Sequence, residues 1–286
     1  MQQRMDSQRR RIMVATAYAA SRRQKDGLVV LKASGMIWFT AAALGQFAFG
    51  AYILLFYGGT ALQGDWAAWS ARMIVGFVDA DLLGNLSVLS HMLLALIMCV
   101  GGPLQFIPMI RKRWPVLHRW NGRMFATAAV LIALGGLYLT WARGMAGLFN
   151  ELTISANALL MLVFAGLTVR AALMRRFGAH HRWALRLFIV ASGVWFFRVG
   201  YGFWFMATGG EMPGVGPMLD GPTDYVLAAG SYLAPLLVLE LYQRARDAGG
   251  IATRYAAAVL VLCATVATSV GLVGAAIIFW LPALMG

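Results

Sequence analysis

Apolar residues run along this chain in seven long blocks separated by short polar connections, near Val29–Tyr57, Asn85–Ile110, Arg123–Trp141, Leu152–Leu173, Trp183–Ala207, Asp224–Tyr242 and Tyr255–Leu284. A hydrocarbon layer of ~30 Å has no water to satisfy backbone polar groups, so a block of about 20 apolar residues reads as one spanning α-helix. The first and last blocks exceed a minimal span, which predicts tilt or an interfacial extension. The pattern predicts an all-α fold: a basic tail over residues 1–26, then a polytopic bundle of seven transmembrane helices over 27–286. Within the tail, the apolar stretch Ile12–Ala20 is short and a second basic cluster follows it. That is the pattern of a retained cytoplasmic tail lying on the membrane surface, not of a cleaved signal peptide. In the longest connection, Gly58–Gly84, the spacing of Trp66, Trp69 and Met73 predicts an amphipathic helix at the outer interface.

Composition sharpens this picture. With 60% hydrophobic and 12% charged residues and a mean hydropathy of +0.71, the chain is not a soluble globule. Cys99 and Cys263 both sit in apolar runs and form no Cys-x-x-Cys pair. A disulfide framework, thiol redox chemistry and covalently attached c-type haem are therefore excluded.

Charge sets the orientation. Of the 24 lysines and arginines, 21 fall in the tail or in alternate connections, and only Arg72, Arg143 and Arg198 lie elsewhere. Positive charge is retained in cytoplasmic loops, which predicts a cytoplasmic N-terminus and an external C-terminus. The net charge of +13 is spread over loops between spans. It reads as a topology signal and a contact with anionic lipid headgroups, not as a nucleic-acid surface.

Two of the basic turns repeat. Lys112–Phe125 reads KRWPVLHRWNGRMF and Arg175–Phe188 reads RRFGAHHRWALRLF, sharing His-Arg-Trp-x-x-Arg without gaps. Spans two and three thus form one helical hairpin and spans four and five its parallel copy. Each motif puts a histidine, two arginines and an interfacial tryptophan at the start of a span. Arg119, Arg123, Arg182 and Arg186 are candidates for holding an anion or ligand, or for snorkelling to lipid phosphate. His118 and His181 are candidate cofactor ligands.

Three ionisable residues fall inside spans: His91, Arg198 and Glu240. Such residues face the bundle interior or a wet cavity. His91 lies roughly 27 Å along its helix from the basic end, too far to share a small site with His118 or His181. Candidate counter-charges for Arg198 are Asp224, Asp220 and Glu151, and Glu240 stands at a depth to meet Arg186 or Arg123.

His91 early in its span, Gly102-Pro103-Leu104-Gln105-Phe106 at its far end, His118-Arg119-Trp120-Asn121-Gly122-Arg123, then His181-Arg182-Trp183-Ala184-Leu185-Arg186 with Arg198 downstream resemble a bacterial polytopic membrane family, domain of unknown function 2306. The resemblance covers roughly Asn85–Phe205. Ala184-Leu185 departs from it where the family pattern implies a methionine. It implies a membrane bundle and brings no activity with it; Gln105 joins the candidate ligand-binding residues on its strength.

Three functions compete. The first is b-type haem or quinone-linked electron transfer, with His118 and His181 as axial ligands and arginines against the propionates. The second is transport or binding of an anionic or lipid-like ligand, with His91 and Arg198 forming a separate polar site. The helix-breaking pairs typical of discontinuous helices are modest here: Gly101-Gly102-Pro103, Gly135-Gly136 and Pro235. The third is a structural subunit packed against other membrane chains. A retinal protein is excluded because no lysine falls in the seventh span. Met206, Met212 and Met218 lack the close spacing of a copper site, and no phosphate loop, zinc motif or nucleophile elbow is present.

Overall fold

The computed structural model describes residues 2–70, 72–73, 76–144 and 147–285, with the backbone alone for 2–12 and 14–21. No strand occurs among them. The chain folds as α1 (Gln2–Tyr52), a π-helical stretch Ile53–Gly58, α2 (Gly59–Gln63), α3 (Ala67–Ser70), α4 (Leu82–Phe106), α5 (Pro108–Arg113), α6 (Pro115–Arg143), α7 (Leu148–Leu173), α8 (Phe177–Ala191), α9 (Gly193–Ala207), α10 (Pro222–Ala248), α11 (Ile251–Ala275), a second π-helical stretch Ala276–Trp280 and α12 (Leu281–Leu284). Six stretches are long and apolar enough to cross a membrane: 22–63, 82–106, 115–143, 148–173, 222–248 and 251–284. The pair α8 and α9 makes a seventh if taken as one broken span. The protein is a polytopic all-α membrane bundle.

Two compact units emerge. The first joins the chain up to Ala41 with Leu237–Val266. Its core is Leu31 against Ala245, Ala257 and Ala258, with Tyr242 packed on it. Arg254 Nη1 donates to the Gln24 carbonyl at 2.7 Å and to Gln24 Oε1 at 2.9 Å.

The second unit, Ala42–Leu236 with the stretch from Ala267 on, contains both hairpins. α4 packs on α6, α6 on α7, and α7 on α8. Local chemistry fixes the ends of these helices. Asp81 caps α4 by accepting from the Gly84 amide at 2.9 Å. Pro108 and Pro115 open α5 and α6 at positions where a missing N–H costs nothing. Gly144 and Gly147 adopt φ of 70° and 86° beside the α6–α7 connection, a region that suits glycine. α9 meets α11 through Gly202, Gly271 and Gly274, where an added Cβ would overlap the facing backbone. Small residues of this kind let membrane helices approach closely enough for dispersion to hold them.

Two expectations are corrected. The tryptophans of the Gly58–Gly84 connection do not form an interfacial amphipathic helix. α3 is a single turn, and Trp69, 3% exposed, donates from Nε1 to Thr60 Oγ1 at 2.9 Å while its ring meets Tyr57 edge-on. The fifth span is not one helix, because α8 and α9 bend by 55° at Ser192. The glycine and proline pairs leave their helices unbroken: α4, α6 and α10 run through Pro103, Gly135-Gly136 and Pro235.

Candidate functional site in the second unit

The 55° bend lies against a cavity of about 70 Å³. Four elements build it. The end of α1 and its π-helical continuation bring Gln46, Phe49, Ile53 and Tyr57. α4 brings His91, Met92, Ala95, Met98 and Cys99. α6 contributes Phe125 and Ile132. The break itself contributes Ala191, Ser192, Val194, Trp195 and Arg198. π-helical stretches are energetically poor and recur at functional sites, so one in the cavity wall is informative.

Side-chain hydrogen bonds hold the break open. Gln46 Nε2 donates to Ser192 Oγ at 2.7 Å, and Ser192 Oγ donates to the Phe188 carbonyl at 2.7 Å. Both residues are buried. The Ser192 hydroxyl thus takes up a carbonyl near the end of α8, and α9 restarts from Gly193 at a new angle.

Two ring nitrogens in this wall are orphaned. His91 Nδ1 and Trp195 Nε1 are buried and have no hydrogen-bond partner among the described residues. Trp195 is 2% exposed. Unpaired buried polar atoms cost about 1–3 kcal/mol each and point to an occupant that the protein itself does not supply.

Arg198 completes the polar side. Its guanidinium lies 5.2 Å over the Phe49 ring, and Nη1 donates to the Val194 carbonyl one turn back at 3.4 Å. Among the described residues no carboxylate pairs with it. Asp224, one of its expected counter-charges, is committed elsewhere. It accepts from the Tyr201 hydroxyl and from the Gly216 and Gly221 amides at 2.7 and 2.8 Å.

Residues 88–216 match the family described as predicted membrane protein (DUF2306). Over that stretch the chain is similar to the DUF2306 family. No curated protein and no solved structure matches the chain. His91, Trp195 and Arg198 lie inside the DUF2306 stretch, whereas Gln46, Phe49 and Tyr57 reach the cavity from outside it.

The basic end of the DUF2306 stretch is built differently. Gln105 Nε2 donates to the His118 carbonyl at 3.3 Å, and Asn121 Nδ2 to the Gly101 carbonyl at 2.8 Å. These amides tie α4 to the first turns of α6. Arg123 lies 5.2 Å over the Trp120 ring and Arg186 4.6 Å over the Trp183 ring. The same i, i+3 stack in both copies gives the repeated motif a structural use. Arg119 and Arg182 are exposed. His118 Nδ1 is buried without a partner. The imidazole within its electrostatic reach is His180, whose Nδ1 donates to the Thr168 carbonyl at 3.0 Å. His181 instead sets its ring at 6.2 Å from that of Phe106. Glu240 falls in the other compact unit. Among the described residues no cluster of three or more His, Cys, Asp or Glu side chains is placed to hold a metal.

At the opposite end of the first hairpin lies an ion pair that the sequence reading did not assign. Arg143 Nε donates to Asp81 Oδ2 at 2.8 Å, Nη1 to the Gly76 carbonyl at 2.8 Å and Nη2 to Asn85 Oδ1 at 2.9 Å. The Arg143 side chain is 7% exposed. The Gly84 amide and then the Arg143 guanidinium hold the Asp81 carboxyl below the usual carboxylate range.

Proposed function

We propose that the protein is an integral membrane binding protein whose ligand occupies the cavity at the α8–α9 break and offers acceptor atoms to Arg198, Trp195 and His91. One observation carries this reading: two of the residues that line this small space, His91 and Trp195, carry orphaned, buried ring nitrogens. A discontinuous helix beside the site supports it, because membrane carriers bind substrate where spans are interrupted. The test is solution NMR of protein labelled with 15N at tryptophan, in nanodiscs, with Trp195→Phe identifying the indole signal. Titration with formate or with decylubiquinone is expected to shift that signal. A signal indifferent to both overturns the reading.

The charge split supports a cytoplasmic N-terminus, an external C-terminus and an inner-membrane location, with the basic turns on anionic lipid. A reporter active only outside the cytoplasm, fused at Gly286, is then expected to work, and one fused after Arg246 to stay silent. The reverse result overturns this orientation.

A second reading places b-type haem, or quinone-linked electron transfer, at the basic end with His118 and His181. The buried and unpartnered Nδ1 of His118 favours it. Two imidazoles give a low-spin b-type absorption spectrum, lost in His118→Ala and in His181→Ala. A colourless protein, or one whose colour survives both substitutions, rejects it.

A further inference from the structure

We propose that the occupant of this cavity is a monovalent carboxylate, held as the counter-ion that no described residue supplies to Arg198. The inference rests on the reading of the cavity as a ligand site and adds the chemical class of the ligand.

Charge comes first. Arg198 stands about nine residues, or ~14 Å, from the end of α9 at Ala207, within the span. A positive charge at that depth is costly without a partner. Intramembrane cations pair with one another's opposites or with backbone carbonyls. Arg198 has one long carbonyl contact and the face of Phe49, and five donors to satisfy.

Trp195 and His91 add donors to the guanidinium. Indole nitrogen donates and never accepts, so the buried Trp195 Nε1 calls for an acceptor on the ligand. Imidazole Nδ1 of His91 can donate as well. A site made of these groups selects negative oxygen.

Size and valence then narrow the class. One water needs about 10–15 Å³ of such a cavity, so a space of about 70 Å³ accommodates about five small non-hydrogen atoms. A carboxylate group has three. A quinone ring with its two oxygens exceeds this space, and a dianion such as phosphate would leave one charge unbalanced by a single guanidinium. Met92, Ala95 and Met98 give the cavity an apolar wall, and its lining residue Val194 is 51% exposed on a membrane-spanning helix. A carboxylate therefore has two sources, a free small acid or the head of an amphiphile entering from the bilayer.

The experiment follows the Trp195 indole N–H in nanodiscs of zwitterionic lipid, with formate, dodecanoate and the neutral isostere formamide as probes. Formate is expected to shift the signal saturably and formamide to leave it in place. Arg198→Gln is expected to raise the apparent Kd for formate at least tenfold, and Arg198→Lys to retain preference for formate over formamide. The remaining tryptophan signals report that each variant is folded. Saturation by dodecanoate far below the formate concentration supports an amphiphile, and saturation at similar concentrations supports a free acid. If formamide or decylubiquinone shifts the signal as strongly as formate, or Arg198→Gln leaves Kd unchanged, the carboxylate assignment is overturned while the ligand site stands. If no probe moves the signal, both fall.

Discussion

Arg143 and Arg198 close the two hairpins of the second unit in opposite ways. Arg143 ends α6 with a carboxylate, an amide oxygen and a backbone carbonyl arranged around its guanidinium. Arg198 sits further inside α9 with an aromatic face, one carbonyl and an adjoining cavity. In the ungapped register of the repeat, Gly135 is the α6 counterpart of Arg198, so the first hairpin has no equivalent of this cation. An arginine whose partners are all internal serves stability. One with only a carbonyl and a ring beside it is the cation on which the proposed ligand site depends.

The sharpest way to break this comparison is to remove each cation in turn. Arg143→Met leaves Asp81 and Asn85 without their donor and is expected to lower the thermal midpoint by roughly 5 °C or more. Arg198→Met is expected to leave the midpoint of the unliganded protein unchanged or higher. Equal losses would place both arginines in the same structural class. Acid sharpens the Arg143 half. Because the folded Asp81 carboxyl titrates below its unfolded value, the pair's contribution is complete above the unfolded value and is lost as pH falls through the folded one. The midpoint measured against pH is thus expected to decline below about pH 4, and Asp81→Asn to remove that part of the decline.

A smaller effect separates the frame of the cavity from its cation. Ser192→Ala leaves the buried Gln46 amide unpaired and is expected to cost about 1–3 kcal/mol in denaturant unfolding. The cost is expected to be the same with Arg198 present or replaced. Strong coupling between the two positions would mean that Arg198 supports the fold. The smallest effect belongs to the stacked arginines of the repeat. Arg123→Gln and Arg186→Gln are each expected to cost about 0.5–1 kcal/mol in stability.

Much of this architecture was readable in the residues. Long apolar blocks gave the spans because hydrocarbon imposes one solution on a backbone, and the repeated His-Arg-Trp-x-x-Arg gave the hairpins. His91 and Arg198 stood out as ionisable residues at membrane depth, although on different helices, and only the folded chain places both on one cavity. The break at Ser192 was not readable. An Ala-Ser-Gly triplet in a span ordinarily serves close packing, and the bend here depends on Gln46, which lies 146 positions away. Gln46 did carry a signal: it is the only amide in the apolar part of the first span. Trp195 carried none, since its orphaned nitrogen distinguishes it from packing aromatics only once its neighbours are known. Arg143 was visible as an exception to the charge split, but its acceptors lie in a connection without regular periodicity.

The glycine seam between α9 and α11 bears on how this site can move. With backbone against backbone at Gly202, Gly271 and Gly274, a slide by one residue would drive Val199 or Phe203 into the facing main chain. The seam acts as a toothed rail: it forbids translation and leaves pivoting as the available motion. Any widening of the cavity must then come from α8 or from the end of α1, with α9 as the fixed jaw that carries Arg198.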